Sequence, residues 1–338
     1  MNRLEKYIIN NLSMLFLSIF SALFTIASVI FLIKLATYTA IIQLSVWEMA
    51  KLYIFTVPEL LFYTLPITFF VSAALTIFRL SNDNELIVLF ALGIHPKFIL
   101  KTLFKPALLL TLLLIFTFFV LFPHTKTLSR NFISYKKSEA KFNLAASEFG
   151  HKFGNWLLYL GSKNNDETYS DIFLFNKNTE EEVLISAKKA HIINDSGILR
   201  LKLTDGEGYS YSKEKFSQID FNTMYINDTF TSEIIPYKTT IEYWKEDERS
   251  KKKPMFITST LLSLFPIFSL FLVLSISVVH ARHQKSKIYL YLFLGILIYY
   301  GLTLSLHKTL LFYTIPIVSF VWLLGTYLIY KKIILSRF

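Results

Sequence analysis

The sequence predicts an α-helical polytopic membrane protein of six transmembrane helices, with an all-β, jelly-roll-like domain inserted between the third and the fourth. Three observations carry this. First, 53% of the 338 residues are hydrophobic, with 33 Phe and 19 Tyr, above the ~45–50% of soluble domains. Second, the apolar residues gather in runs of span length, nearly free of charge, at 12–33, 53–78, 98–122, 255–279, 288–306 and 310–330; about 20 apolar residues cross a bilayer. Third, the stretch 123–253 between the third and fourth runs is polar and alternates like strands. The first run is too long for a signal peptide and no small-residue cleavage site follows it, so it reads as a helix that stays.

Charge orients the spans. With the N-terminus cytoplasmic, the short inner segments hold Arg3, Lys6, Arg79, Lys97, Lys101, Lys105, Arg282, Lys285, Lys287, Lys331, Lys332 and Arg337. The short outer loops hold only Lys34, Lys51 and Lys308. That asymmetry is the positive-inside pattern. The segment 123–253 carries 20 Lys/Arg against 19 Asp/Glu, so the net charge of +11 belongs to the membrane part. It describes orientation in lipid and not nucleic-acid binding. Lys251, Lys252 and Lys253 at the outer end of the fourth span run against the pattern, but long translocated segments largely escape it. With no cysteine, disulfides, thiolate metal sites and cysteine nucleophiles are excluded.

The organisation is therefore 1–122, three spans; 123–253, the β insert; and 254–338, three more spans. In the insert, Leu199, Leu201 and Leu203 alternate with Arg200 and Lys202, the period of a half-buried strand. Further strands are predicted at 156–160, 171–175, 182–186, 190–193, 207–211, 218–221 and 224–226. Turn-forming pieces such as 162–166, 194–197 and Asp205-Gly206 separate them. Short strands at such spacing suggest a sandwich or jelly roll. The flanks 125–146 and 241–253 read as helical or extended connections.

No catalytic constellation stands out. His124, His151 and His191 are scattered, without carboxylates at metal-ligand spacing. His280 and His283, beside Arg282 and Lys285, read as a basic interfacial anchor. No G-x-x-x-x-G-K-[ST] loop occurs, so this chain carries no P-loop for ATP.

One short stretch needs its own account. Residues 82–93 lie in the loop between the second and third runs and look like a soluble helix. Asn82 is placed to cap it, with Glu85 completing a capping box. Gly93 ends it and Pro96 follows. Between the caps Leu86, Ile87, Val88, Leu89, Phe90, Ala91 and Leu92 are apolar on every face, too few to span a bilayer and too many to face water. The helix also lacks the basic face of surface-lying helices. It reads as a docking helix for a separate cytoplasmic subunit, Glu85 being placed to meet an arginine there. The bland alternative is an interfacial helix in the headgroups.

Residues 81–97, with N-E-L-I-V-L-F-A-L-G-I inside them, resemble the coupling helix of the LptF/LptG permease family, paired membrane subunits of the lipopolysaccharide exporter. The order of spans and β insert matches that family over nearly the whole chain. The resemblance implies that Glu85, Leu86, Leu89, Phe90 and Gly93 couple to a cytoplasmic ATPase dimer, LptB-like. Glu85 corresponds to the acidic residue facing the ATPase and Gly93 to the glycine that ends the helix. His95 departs from the Ser or Thr often found there. ATP and Mg would sit on that partner, and this chain would hold no cofactor.

The resemblance also implies a second six-span permease, a periplasmic bridge protein and a single-span membrane protein (LptA/LptC-like), and lipopolysaccharide as cargo. Lys34 looks like the basic residue at the outer end of the family's first helix, facing an anionic lipid head; snorkelling is its alternative. Phe24, Phe31, Leu297 and Tyr300 are candidates for an apolar cavity lining. Lys126, Arg130, Lys136 and Lys137 either continue a basic path or form a solvated face. The stretch 275–284 is similar to the F-type member. The implied location is the inner membrane of a Gram-negative bacterium, with both termini cytoplasmic and the β domain periplasmic.

Two other classes are weighed. Another ABC-type lipid or lipoprotein permease usually has four spans and a different insert. A membrane-bound lipid-modifying enzyme needs clustered acid and base groups, for which only Glu59, Lys51 and Glu48 offer themselves. Glu59, beside Pro58 in the second run, must face protein or water.

Overall fold

The computed structural model describes the chain except for residues 1–2, 40–43, 143–148, 154–155, 164–167, 178–180, 196–197, 213–214, 228–238, 246–251, 279–286 and 337–338. The sequence readings on Lys251, His280, Arg282, His283, Lys285 and Arg337 fall outside the described residues, as do the side chains of Lys137, His151 and Lys308. The chain divides into a helical unit (Met1–Leu35, Met49–Lys126, Tyr237–Phe338) and a second unit (Ala36–Glu48, Thr127–Pro236).

In the helical unit, α1 (Arg3–Thr39) and α2 (Val46–Asn82) are followed by a short α3 (Glu85–Ala91). Next, α4 (Pro96–Phe116) passes through a π-helical turn, Thr117–Leu121, into α5 (Phe122–Phe142). The π turn has a local cause. Pro123 has no N–H to offer the carbonyl of Phe119 four residues back, and the indole N–H of Trp244 donates to that carbonyl instead, at 3.0 Å.

After the β strands come α6 (Thr240–Lys245), α7 (Lys252–Phe268), α8 (Leu270–Ser277), α9 (Ile288–Leu310) and α10 (Thr314–Tyr330). Helices α7 and α8 are one run bent by 46°, with Pro266 two residues before the break. Among the described residues five helices are long and apolar enough to cross a membrane, and a sixth if that bent pair is one span. Polytopic membrane architecture is thus what the composition predicted. At the start of α7, Lys252 is buried with its ammonium 4.4 Å from the centre of the Tyr243 ring, so the ring accommodates one of the three cations that ran against the charge pattern.

The core of this unit is aromatic and small-residue in character. Phe62 of α2 meets Phe118 and Phe122 edge-on, with centroids 6.1 and 5.1 Å away. Phe265 packs between Phe70 and Tyr299 at 5.2 and 4.7 Å. The buried face of α2 also carries Thr64, Thr68, Ser72 and Thr76 beside Ala73 and Ala74. Each of those hydroxyls donates back to a carbonyl one turn earlier. Hydroxyls satisfied within their own helix cost little in lipid, and small side chains let helices approach.

The second unit contains one six-stranded antiparallel sheet in the order β1-β2-β3-β4-β5-β6. The strands are Phe149–Phe153, Trp156–Lys163, Thr168–Lys177, Glu181–Asp195, Ile198–Ser212 and Phe216–Asn227. The expected all-β insert is present. Its described strands follow one another as a meander, without the crossovers of a Greek key.

The strands are longer than the sequence reading had them. The breaks placed after 186, after 203 and after 221 each fall inside one continuous strand. They coincide with a feature that crosses the sheet. From β2 to β6 the ladder skips one position per strand, at Gly161, Asp171, Lys188, Asp205 and Asn222, which lie in one row. Asp171 and Asp205 take left-handed backbone, with φ of 55° and 53°. Across that row the inward residues change parity, from Ile172 and Leu174 to Tyr169 in β3, and from Ile185 and Ala187 to Ala190 in β4. All join one buried cluster with Leu158, Leu160, Leu201, Leu203 and Ile226. An irregular residue in a strand bends it and shifts its alternation; here the bends align into a crease.

Asp205-Gly206, expected as a turn, is therefore corrected to mid-strand. Gly206 serves close approach there, because a Cβ would lie 2.4 Å from the Phe221 ring.

Candidate functional site

The short helix after α2 differs from its sequence reading at its start. Residues 82–93 were expected to be helical with Asn82 as cap, but α2 runs on through Asn82, and α3 spans only Glu85–Ala91. Asn84 occupies the cap position in left-handed backbone, φ 62°, and makes no side-chain cap bond. A capping side chain needs extended backbone to reach the free N–H groups, so the capping box does not form. At the other end Gly93, with φ 86°, donates its N–H to Phe90, and Ile94 donates to Leu89. Those two bonds make a Schellman closure. His95 in extended backbone and Pro96 at the first helical position then start α4.

Two faces result. Leu86 is fully buried, and half-buried Leu89 and Phe90 pack with it against the core of the helical unit. Val88 is 55% exposed and Leu92, just past the helix, 75% exposed; Ala91 is exposed between them. The residues singled out in the sequence, Leu86, Leu89 and Phe90, thus form the inward stripe. The exposed face is made of Val88, Ala91 and Leu92, which the sequence reading did not select. Their spacing of three and four residues was the available signal, hidden because the run is apolar throughout.

Glu85 is not idle. The Tyr7 hydroxyl of α1 donates to its carboxylate, 3.0 and 2.9 Å from the two oxygens. Two residues earlier Glu5 pairs with Lys105 of α4 at 3.3 Å. Ile8 and Leu12 are buried in the same core as Leu86. The start of α1 is therefore held to α3 and to α4 at one end of the unit, where Arg79, Lys97 and Lys101 also belong.

The lipid-contact candidates do not converge. Phe24 stacks on Phe20 along α1 at 5.4 Å, and Phe31 lies 6.2 Å from Tyr53 of α2. Tyr300 meets Phe265 edge-on at 5.8 Å, its hydroxyl buried without a hydrogen-bond partner, while Leu297 is half exposed. Among the described residues no ring contact joins the α1 set to the α9 set. Lys34 is exposed near the end of α1.

The cations read as either a basic path or a solvated face are partly neutralised. Lys126 pairs with Glu59 at 3.5 Å and lies 5.2 Å from the centre of the Phe122 ring, and Lys136 pairs with Glu48. Arg130 is exposed. The same two pairs occupy Glu48 and Glu59, the carboxylates weighed for an enzyme. Among the described residues no three His, Asp or Glu gather to hold a metal ion.

A helical unit with helices long and apolar enough to cross a membrane, a β insert and a short apolar helix in the loop between two of them define a polytopic membrane protein with an inserted β domain. Comparison with protein families matches residues 6–330 to the lipopolysaccharide export system permease LptF/LptG. The chain belongs to the LptF/LptG family, a permease of lipopolysaccharide export. No match is found among curated proteins.

Proposed function

We propose that a separate cytoplasmic ATPase docks on the α3 loop of this permease and drives lipopolysaccharide out of the inner membrane through it. The observation that carries this is the outward apolar stripe Val88, Ala91 and Leu92, exposed on a helix whose other face is anchored in the core. An exposed apolar stripe on a helix whose other face is packed is what a protein partner covers. Glu85 flanks it and keeps lone pairs free beyond the Tyr7 bond, so it can accept from a basic residue of the partner.

In this reading, two permease chains enclose an apolar cavity open to the outer leaflet, with the first and fifth spans at its lateral gates. Phe24, Phe31, Leu297 and Tyr300 contribute lining, and Lys34 meets the anionic head of the lipid. Closure of the ATPase dimer pulls on α3 and collapses the cavity, and the β domain hands the lipid to a periplasmic bridge. Among the described strands β1 and β6 lie at the edges of the sheet, and either edge would serve strand pairing with that bridge or with a single-span membrane partner. Both termini lie in the cytoplasm.

A pull-down from native membranes tests it. A tagged wild-type chain should bring a Walker-motif ATPase and a second six-span chain. Val88→Asp with Leu92→Asp should lose the ATPase and keep the second permease. Retention of the ATPase by that variant, or its absence from wild type in mild detergent, contradicts the reading.

A further inference from the structure

We infer that Tyr7 is a positioning residue, tying the docking helix to the first span so that movement of α3 is passed to α1. The inference rests on the coupling reading above and adds the route that the motion takes within this chain. It starts from how α1 is held. From Ser13 to Ala27 none of its residues is fully buried, and its contact with the core along that length is through partly buried side chains such as Phe16 and Phe20. Below that stretch lie the Tyr7–Glu85 hydrogen bond, the Glu5–Lys105 ion pair, and buried Ile8 and Leu12. Above it, Ser28 shares a hydrogen bond with Tyr53 at 2.8 Å, and Leu35 is buried. A helix held at its two ends moves as its ends are moved.

At the lower end two neighbours compete for control. Lys105 belongs to α4, a long helix built into the core. Glu85 belongs to α3, joined to α2 by the left-handed turn at Asn84 and to α4 by the left-handed Gly93. Two such turns bracket seven residues, so α3 is the one element here that can shift without dragging a long helix along its axis. The only side-chain hydrogen bond from α1 to α3 among the described residues is that of Tyr7. It reaches both carboxylate oxygens, and a bond to a charged acceptor is of the stronger kind. It also fixes the rotamer of Glu85 and so sets the direction in which the remaining lone pairs face a partner.

Tyr7→Phe isolates this link, because it removes one hydroxyl and keeps the ring. The chain has no cysteine, so spin labels can be placed at Arg3→Cys and Ile87→Cys, away from the docking stripe, in the full-length protein without a background. The interlabel distance distribution should be narrow with Tyr7 present and broaden clearly in Tyr7→Phe, whether or not an ATPase is bound. In vesicles holding the complete exporter, Tyr7→Phe should keep its ATPase and hydrolyse ATP, yet move several-fold less lipid per ATP. In the label measurement without ATPase, adding Glu85→Gln to Tyr7→Phe should broaden the distribution little further, since both changes break one pair.

An unchanged distance distribution, or a wild-type yield per ATP in Tyr7→Phe, overturns the proposal. If wild type holds no ATPase while the labels still report the tie, the coupling reading fails and the role in transmission falls with it.

Discussion

Helices α1 and α2 are each 37 residues long, and both are apolar enough to cross a membrane. In α2, 61% of the most apolar stretch is buried; in α1 none of it is. The more apolar helix is the less buried one. In water that would be perverse, but lipid tails are as apolar as leucine and reward no helix for hiding its leucines. The buried face of α2 mixes small or hydroxylated residues, Thr64, Thr68, Ser72, Ala73 and Thr76, with large apolar ones such as Phe62, Phe69, Phe70 and Ile77. In such a chain apolarity alone does not tell the two faces apart, and the small and hydroxylated residues are what mark the face turned to protein. An exposed α1 held at its ends is also suited to move, whereas α2 is built in.

The contrast can be broken by substitution. The largest effect is expected for Phe62→Ala, which empties a fully buried site between two rings and should cost about 3–5 kcal/mol. Phe24→Ala on α1 should cost less than about 1 kcal/mol, as changes away from a packed core do. Thermal unfolding of both variants in the same detergent checks the pair. Next, Thr68→Leu overfills the buried face of α2 and should cost about 1–3 kcal/mol, while Ser18→Leu on exposed α1 should leave the melting temperature unchanged. A similar loss in the two would mean that α1 is packed as α2 is.

Smaller effects sharpen the picture at the ends of α1. Gly93→Ala meets no atom within 4 Å, so its cost is the left-handed backbone alone, about 1 kcal/mol. It should loosen α3 and lower the amount of ATPase recovered with the chain without unfolding it. Ser28→Ala removes the bond to Tyr53 and should cost about 0.6 kcal/mol, the average for hydrogen bonds between membrane helices. That change is small for stability and should appear mainly as greater mobility of spin labels near the end of α1.

The spans were legible because their signal is length and apolarity, which tertiary context does not alter. Gly93 was legible too, since a left-handed closure leaves glycine as its trace. Two things were not. In the sheet, pattern breaks at Lys188, Asp205 and Asn222 were visible, but a break in alternation does not say whether the chain turns back or bends and continues. The row across neighbouring strands decides that, and rows exist only in three dimensions. In α3 an unbroken apolar run carries no period, so the inward stripe of Leu86, Leu89 and Phe90 could not be told from the outward one. Nor could any local reading connect Glu85 with Tyr7, which lies 78 residues away.

The most direct test of the central claim is to place a photo-cross-linking phenylalanine analogue at Val88 in native membranes and identify the adduct by mass spectrometry. The account predicts a cross-link to a Walker-motif ATPase from Val88, and none from a control at Leu86, which faces the core. An adduct with lipid alone from Val88 would contradict it, and would make α3 a helix that lies in the headgroups.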